Sequence, residues 1–109
     1  MILRNAAGLA QFQPDKMGKV NLAGADFLYA GLNCFEPGQA HKPHVHEDQD
    51  KLYVILQGEA EVTVGPDTAT VSVGDVVLAR SGETHGIRNA SSERLVVLVV
   101  LGPPPKPKP

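Results

Sequence analysis

Gly38-Gln39-Ala40-His41-Lys42-Pro43-His44-Val45-His46-Glu47-Asp48-Gln49-Asp50-Lys51 is the most constrained segment of this chain, and an apolar run, Leu52-Tyr53-Val54-Ile55-Leu56, follows it before Gly58. His44 and His46 are two residues apart. In an extended strand such side chains share a face, so both imidazoles can reach one point. Neutral imidazole is a common ligand for divalent first-row metals, yet two nitrogens rarely hold such an ion alone. The third candidate is His85, which follows the turn-rich stretch Arg80-Ser81-Gly82-Glu83-Thr84 and opens a run in which His85, Ile87 and Asn89 share a face. A bare His-x-His also describes a polar strand with solvated imidazoles, so the wider spacing has to carry the argument.

That spacing is regular in two places. The first cluster reads Gly38, five residues, His44-Val45-His46, four residues, Lys51, six residues, Gly58. The second reads Gly74, five residues, Arg80-Ser81-Gly82, two residues, His85, three residues, Asn89. Together they resemble the paired signature of the cupins: glycine, His-x-His, a carboxylate and glycine, then glycine, Pro-x-Gly, His and Asn. The resemblance runs from about Cys34 to Asn89 and is to the small single-domain members of the RmlC-like cupin superfamily, those with a cupin 2 conserved barrel. It implies an all-β fold, a small double-stranded β-helix or jelly roll, and a divalent metal ion (Zn, Fe, Mn or Ni) held by His44, His46 and His85.

Two positions depart from that pattern. Arg80 stands where the family has proline, which relaxes a turn and adds a charge. Lys51 stands where the family usually carries a glutamate ligand. An ammonium about 4 Å from a divalent ion would be repelled by roughly 8 kcal/mol at an effective dielectric near 20, so Lys51 cannot be a protonated neighbour touching the metal. Its flexible stem can swing aside and leave an open three-histidine site, with Gln49, Asp50 and His41 as candidates to complete the shell. Alternatively the site is metal-free, and Lys51 with the histidines forms a cationic pocket for a carboxylate or phosphate. If Lys51 begins an inward-facing alternation, Tyr53 and Ile55 point the same way, which makes Lys51 and Tyr53 the substrate-binding candidates. A core aromatic is the competing role for Tyr53, and turn capping is the role expected of Asn89.

The rest of the chain agrees with a small β domain. It has 109 residues, 42% of them hydrophobic and 5% aromatic with no tryptophan, so the core must be largely aliphatic. A net charge of −2 offers no basic stripe for phosphates and argues against nucleic acid. The lone Cys34 cannot form an intrachain disulfide and reads as a buried, inert thiol. The start lacks a basic leader with a sustained apolar stretch, and the longest apolar run, 95–101, is too short to cross a bilayer; a cytoplasmic location without membrane partners is the expectation. Strand patterns occupy 27–35, 52–56, 59–64, 68–73, 76–79, 85–89 and 94–101, with 52–56 and 59–64 flanking Gly58 like a hairpin.

Three segments follow: an N-terminal segment 1–24 able to contribute an edge strand, a cupin barrel 25–101, and a Pro/Lys-rich tail 102–109 that reads as solvated and extended. The resemblance implies a small bacterial-type cupin binding a metal and a small polar metabolite, with a homodimer as the expected assembly. The alternative is a metal-free binding module for an anionic small molecule. A scaffold does not define chemistry, and the residues select no reaction, so whether the protein is an enzyme, and which residue would be catalytic, stays open.

Overall fold

Runs of β-branched and aliphatic residues separated by glycine turns give nine strands in the computed structural model, which describes residues 1–106. They are β1 (Gly18–Gly24), β2 (Tyr29–Phe35), β3 (Ala40–His44), β4 (Asp50–Gln57), β5 (Glu59–Val64), β6 (Asp67–Ser72), β7 (Val76–Ala79), β8 (His85–Arg88) and β9 (Leu95–Gly102). One sheet has the order β1-β2-β9-β4-β7 and the other β3-β8-β5-β6, all pairings antiparallel. The only helical element among the described residues is a 3-10 turn, Ala6–Leu9. The fold is therefore the all-β, double-stranded β-helix that the cupin resemblance implies.

Between the sheets lies the main core, built from Phe35, Tyr53, Ile55, Val62, Leu95 and Val97 among others. Alternation explains it: on β4, Lys51, Tyr53 and Ile55 are buried while the residues between them are partly exposed. A second cluster, Leu32, Cys34 and Val96, lies outside it under the N-terminal residues Ala7, Ala10 and Phe12. Cys34 is free and buried there, and the Arg94 guanidinium sits 4.3 Å from the Phe12 ring centroid, a cation–π contact with the N-terminal segment.

Three local expectations change. The strand anticipated at 27–35 starts at Tyr29, because the Ala25 N–H donates to the Leu28 carbonyl in a turn that leaves Phe27 85% exposed. Segments 52–56 and 59–64 do not form a hairpin: β4 and β5 belong to different sheets. Gly58 is the corner between them, at φ +84°, and a Cβ there would lie 2.4 Å from the Arg94 carbonyl, so only glycine fits. Finally, β3 ends at His44, so His44 and His46 do not share one strand.

Candidate metal centre

The histidines converge by register rather than by strand alternation alone. His44 on β3 pairs directly with His85 on β8, and a register shift between His41 and His44 accommodates Lys42-Pro43. At Gly86 the β3 backbone comes so close that an added Cβ would lie 2.9 Å from Pro43 N, so glycine next to His85 lets the two strands meet. His46 lies in the loop beyond β3, and its carbonyl accepts the Gly82 N–H at 2.9 Å, which ties the first cluster to the second. Ring centroids are 4.4 Å apart for His44 and His85, 4.8 Å for His44 and His46, and 5.4 Å for His46 and His85. One nitrogen from each of the three lies within 4.8 Å of the others, an arrangement that can hold a metal ion.

Hydrogen bonds select the ring nitrogen that is free. His44 Nδ1 donates to the Lys42 carbonyl at 2.8 Å and His85 Nδ1 to the Glu83 carbonyl at 3.0 Å. A carbonyl can only accept, so in each neutral ring Nε2 carries the lone pair. Both Nε2 atoms are buried without a partner. Buried polar atoms are normally satisfied, and backbone-pinned imidazoles with orphaned Nε2 lone pairs are what a metal site requires. Burial, with lesser contributions from the neighbouring cations and imidazoles, lowers the pKa of His46 and of His85, while the Glu83 carbonyl partly opposes the shift at His85. The donor set thus fits a borderline divalent ion such as zinc, iron or nickel.

Of the three candidates for completing the shell, His41 packs against His44, though it is not one of the three residues whose nitrogens converge. Its ring centroid is 4.2 Å from that of His44 and its Nδ1 is buried without a partner. Burial, followed by the charge of Lys51, pushes its pKa down to about 3. Asp50 is engaged elsewhere: its Oδ1 accepts the Ser81 N–H at 2.8 Å. Gln49 donates from Nε2 to the Pro103 carbonyl at 2.9 Å, pinning the start of the tail.

Lys51 is 4% exposed and has its ammonium 4.9 Å from the Tyr53 ring centroid, a cation–π contact. Burial, then the charge of Lys19, pushes its pKa down to about 8, which still leaves it mostly protonated at neutral pH. Tyr53 is fully buried, its ring centroid 6.3 Å from that of His85, its hydroxyl unpartnered and its pKa raised by burial. Asn89 caps a turn: Nδ2 donates to the Phe35 and Glu93 carbonyls, and Oδ1 accepts the Ser91 N–H.

A cavity of about 660 Å³ opens beside this cluster, lined by His41, His44, His46, Gln49 and Lys51. Its far wall is made by Lys19 and Asn21 on β1 and by Tyr29 and Asn33 on β2, with Pro104 and Pro105 of the tail at its margin. Sequence reasoning did not find this wall. The signal was present as polar residues at alternate positions, 19 and 21, then 29 and 33, but only the pairing of Lys19 with Asn33 and Asn21 with Gly31 sets them side by side.

The comparisons with known proteins agree with this geometry. An uncharacterised protein of Streptomyces coelicolor is 40% identical over 79 residues, 71% of each chain. A crystal structure from Thermus thermophilus superposes with a TM-score of 0.91 at 38% identity, covering 96% of this chain and all of that one (100%). An oxalate-binding protein of Thermotoga maritima is 34% identical over 65 residues, 60% of this chain and 54% of that protein. The cupin-domain family model matches residues 31–101, which takes in both histidine clusters, and the chain belongs to the cupin family.

Proposed function

We propose that this cupin holds a divalent metal ion through His44, His46 and His85 and binds a small polar metabolite in the cavity beside it. The carrying observation is the pair of buried, partnerless Nε2 atoms on His44 and His85, whose tautomers are set by backbone carbonyls. A bound ion would act as a Lewis acid, and the protein's part is to present neutral imidazoles and a bounded cavity. The cavity is of small-molecule size, and the name of the oxalate-binding relative fits a ligand of that scale. Lys51 is the ligand-facing residue in this reading, as a wall of the cavity, while Tyr53 does not line the cavity and serves as the aromatic surface its ammonium contacts.

Elemental analysis of freshly purified protein tests it: about one ion per chain, lost in His44→Ala, is expected. Metal-free protein after growth with ample zinc, iron, manganese and nickel rejects it. The second reading, a metal-free anion pocket, is favoured by one observation, the lysine at the fourth ligand position, and that same metal-free result would support it.

A cytoplasmic homodimer completes the proposal. The unpaired buried Cys34 fits a reducing compartment, and Val76 and Leu78 on the edge strand β7 present exposed aliphatic surface for a second copy. Light scattering on the purified protein reads the assembly directly. No helix among the described residues is long and apolar enough to cross a membrane.

A further inference from the structure

The geometry points to a small organic acid as the ligand, with its carboxylate held by Lys51 against the histidine cluster and Lys19 drawing its outer end. The inference deepens the proposed function and rests on it only for the location of the site.

Lys51 is a buried cation without a counter-ion. It is 4% exposed, and none of the ion pairs among the described residues includes it or Lys19. A buried charge normally has a partner of opposite sign or is hydrogen-bonded. Cation–π contact with Tyr53 stabilises Lys51 only in part. No aspartate or glutamate lines the cavity among the described residues, while two lysines, Asn21, Asn33 and Gln49 do. The wall is therefore cationic and rich in amide donors, with no acidic group of its own.

Position explains why. At the site where the family pattern puts a carboxylate on the protein, this chain has an ammonium, and the carboxylate comes instead with the ligand. An anion between Lys51 and the histidine cluster would neutralise the ammonium and offset its repulsion from a cation held by the imidazoles. Pro104 and Pro105 stand at one margin of the cavity, opposite no acidic group among the described residues that would repel an incoming carboxylate.

Calorimetric titration of metal-stripped and zinc-loaded wild-type protein with malonate, acetate and neutral malonamide tests this. Both anions are expected to bind both forms, malonate more tightly than acetate, and malonamide is not. Lys51→Met should weaken malonate binding roughly ten- to a hundredfold, the effect of losing one charged hydrogen bond, and Lys19→Met on the exposed side should weaken it less. Lys51→Glu should lose malonate binding and bind zinc more tightly, because it restores the family's carboxylate. Circular dichroism checks that each variant folds, and Lys51→Gln replaces Lys51→Met if the latter does not.

Unchanged malonate affinity in folded Lys51→Met or Lys51→Gln overturns the proposal. So does malonamide binding equal to malonate, or a lack of anion binding by either form of the wild type, which requires no variant. Zinc uptake without anion binding defeats this inference and leaves the three-histidine reading standing; anion binding by protein that takes up no metal does the reverse.

Discussion

Strand β4 carries one inward face from a wet end to a dry one. Lys51 borders the cavity, while Ile55, four residues on and 1% exposed, is packed against Phe35, Val62, Leu95 and Val97. Both residues lie on the buried face of the same strand. The difference is chemical: at the dry end each side chain contributes volume and apolar area, about 1.5–3 kcal/mol per large residue buried. At the wet end sit the buried side-chain atoms that lack partners among the described residues: His41 Nδ1, His44 Nε2, Tyr53 Oη and His85 Nε2. One half of the barrel stabilises the fold, and the other holds the unsatisfied polar atoms on which the proposed site rests.

The comparison breaks if stability and binding do not separate along this axis. Phe35→Ala, at the dry end, should cost about 3–5 kcal/mol in denaturant unfolding while the folded variant keeps the wild-type metal content. His44→Ala should do the opposite. Its metal affinity should fall by more than about a hundredfold, beyond the effect of losing an outer-sphere partner, while the stability of the metal-stripped form, measured by denaturant titration, changes by less than about 1 kcal/mol.

Smaller effects sharpen the boundary between the two ends. Asn89 is fully buried and joins β8 to the turn before β9. Asn89→Ala leaves the Phe35 and Glu93 carbonyls without that donor, and a loss of about 1–3 kcal/mol in thermal or denaturant unfolding is expected. Ending the chain after Gly102 removes the Gln49–Pro103 hydrogen bond and the exposed Lys106–Asp48 ion pair. The expected change in stability is under about 1 kcal/mol, because exposed pairs contribute little; a melting curve of the shortened chain checks it. Residues 107–109 of the tail lie outside the described residues.

How far the chain could be read in advance differs from element to element. Strands β5 and β7 lie where alternation and valine runs put them, since a half-buried strand writes its period into the sequence. The corner at Gly58 was not legible, because a positive-φ glycine serves a hairpin turn and a crossing between sheets equally well. Lys51 was legible as the residue out of place, because the resemblance to the cupin pattern puts a glutamate at that position. The wall of Lys19, Asn21 and Asn33 was not, because its residues are polar neighbours only through the β1–β2 register.

Local chemistry, then, is written in the amino-acid order: glycines at the turns, imidazoles at cupin spacing, and a lysine in place of a carboxylate. Tertiary structure alone decided which nitrogens face one another, because cross-strand pairing of His44 with His85 and the carbonyls at Lys42 and Glu83 orient the rings. It also decided that Lys51 is buried without a counter-ion. Burial and pairing depend on segments far apart in the chain, and no local pattern encodes the distance between them.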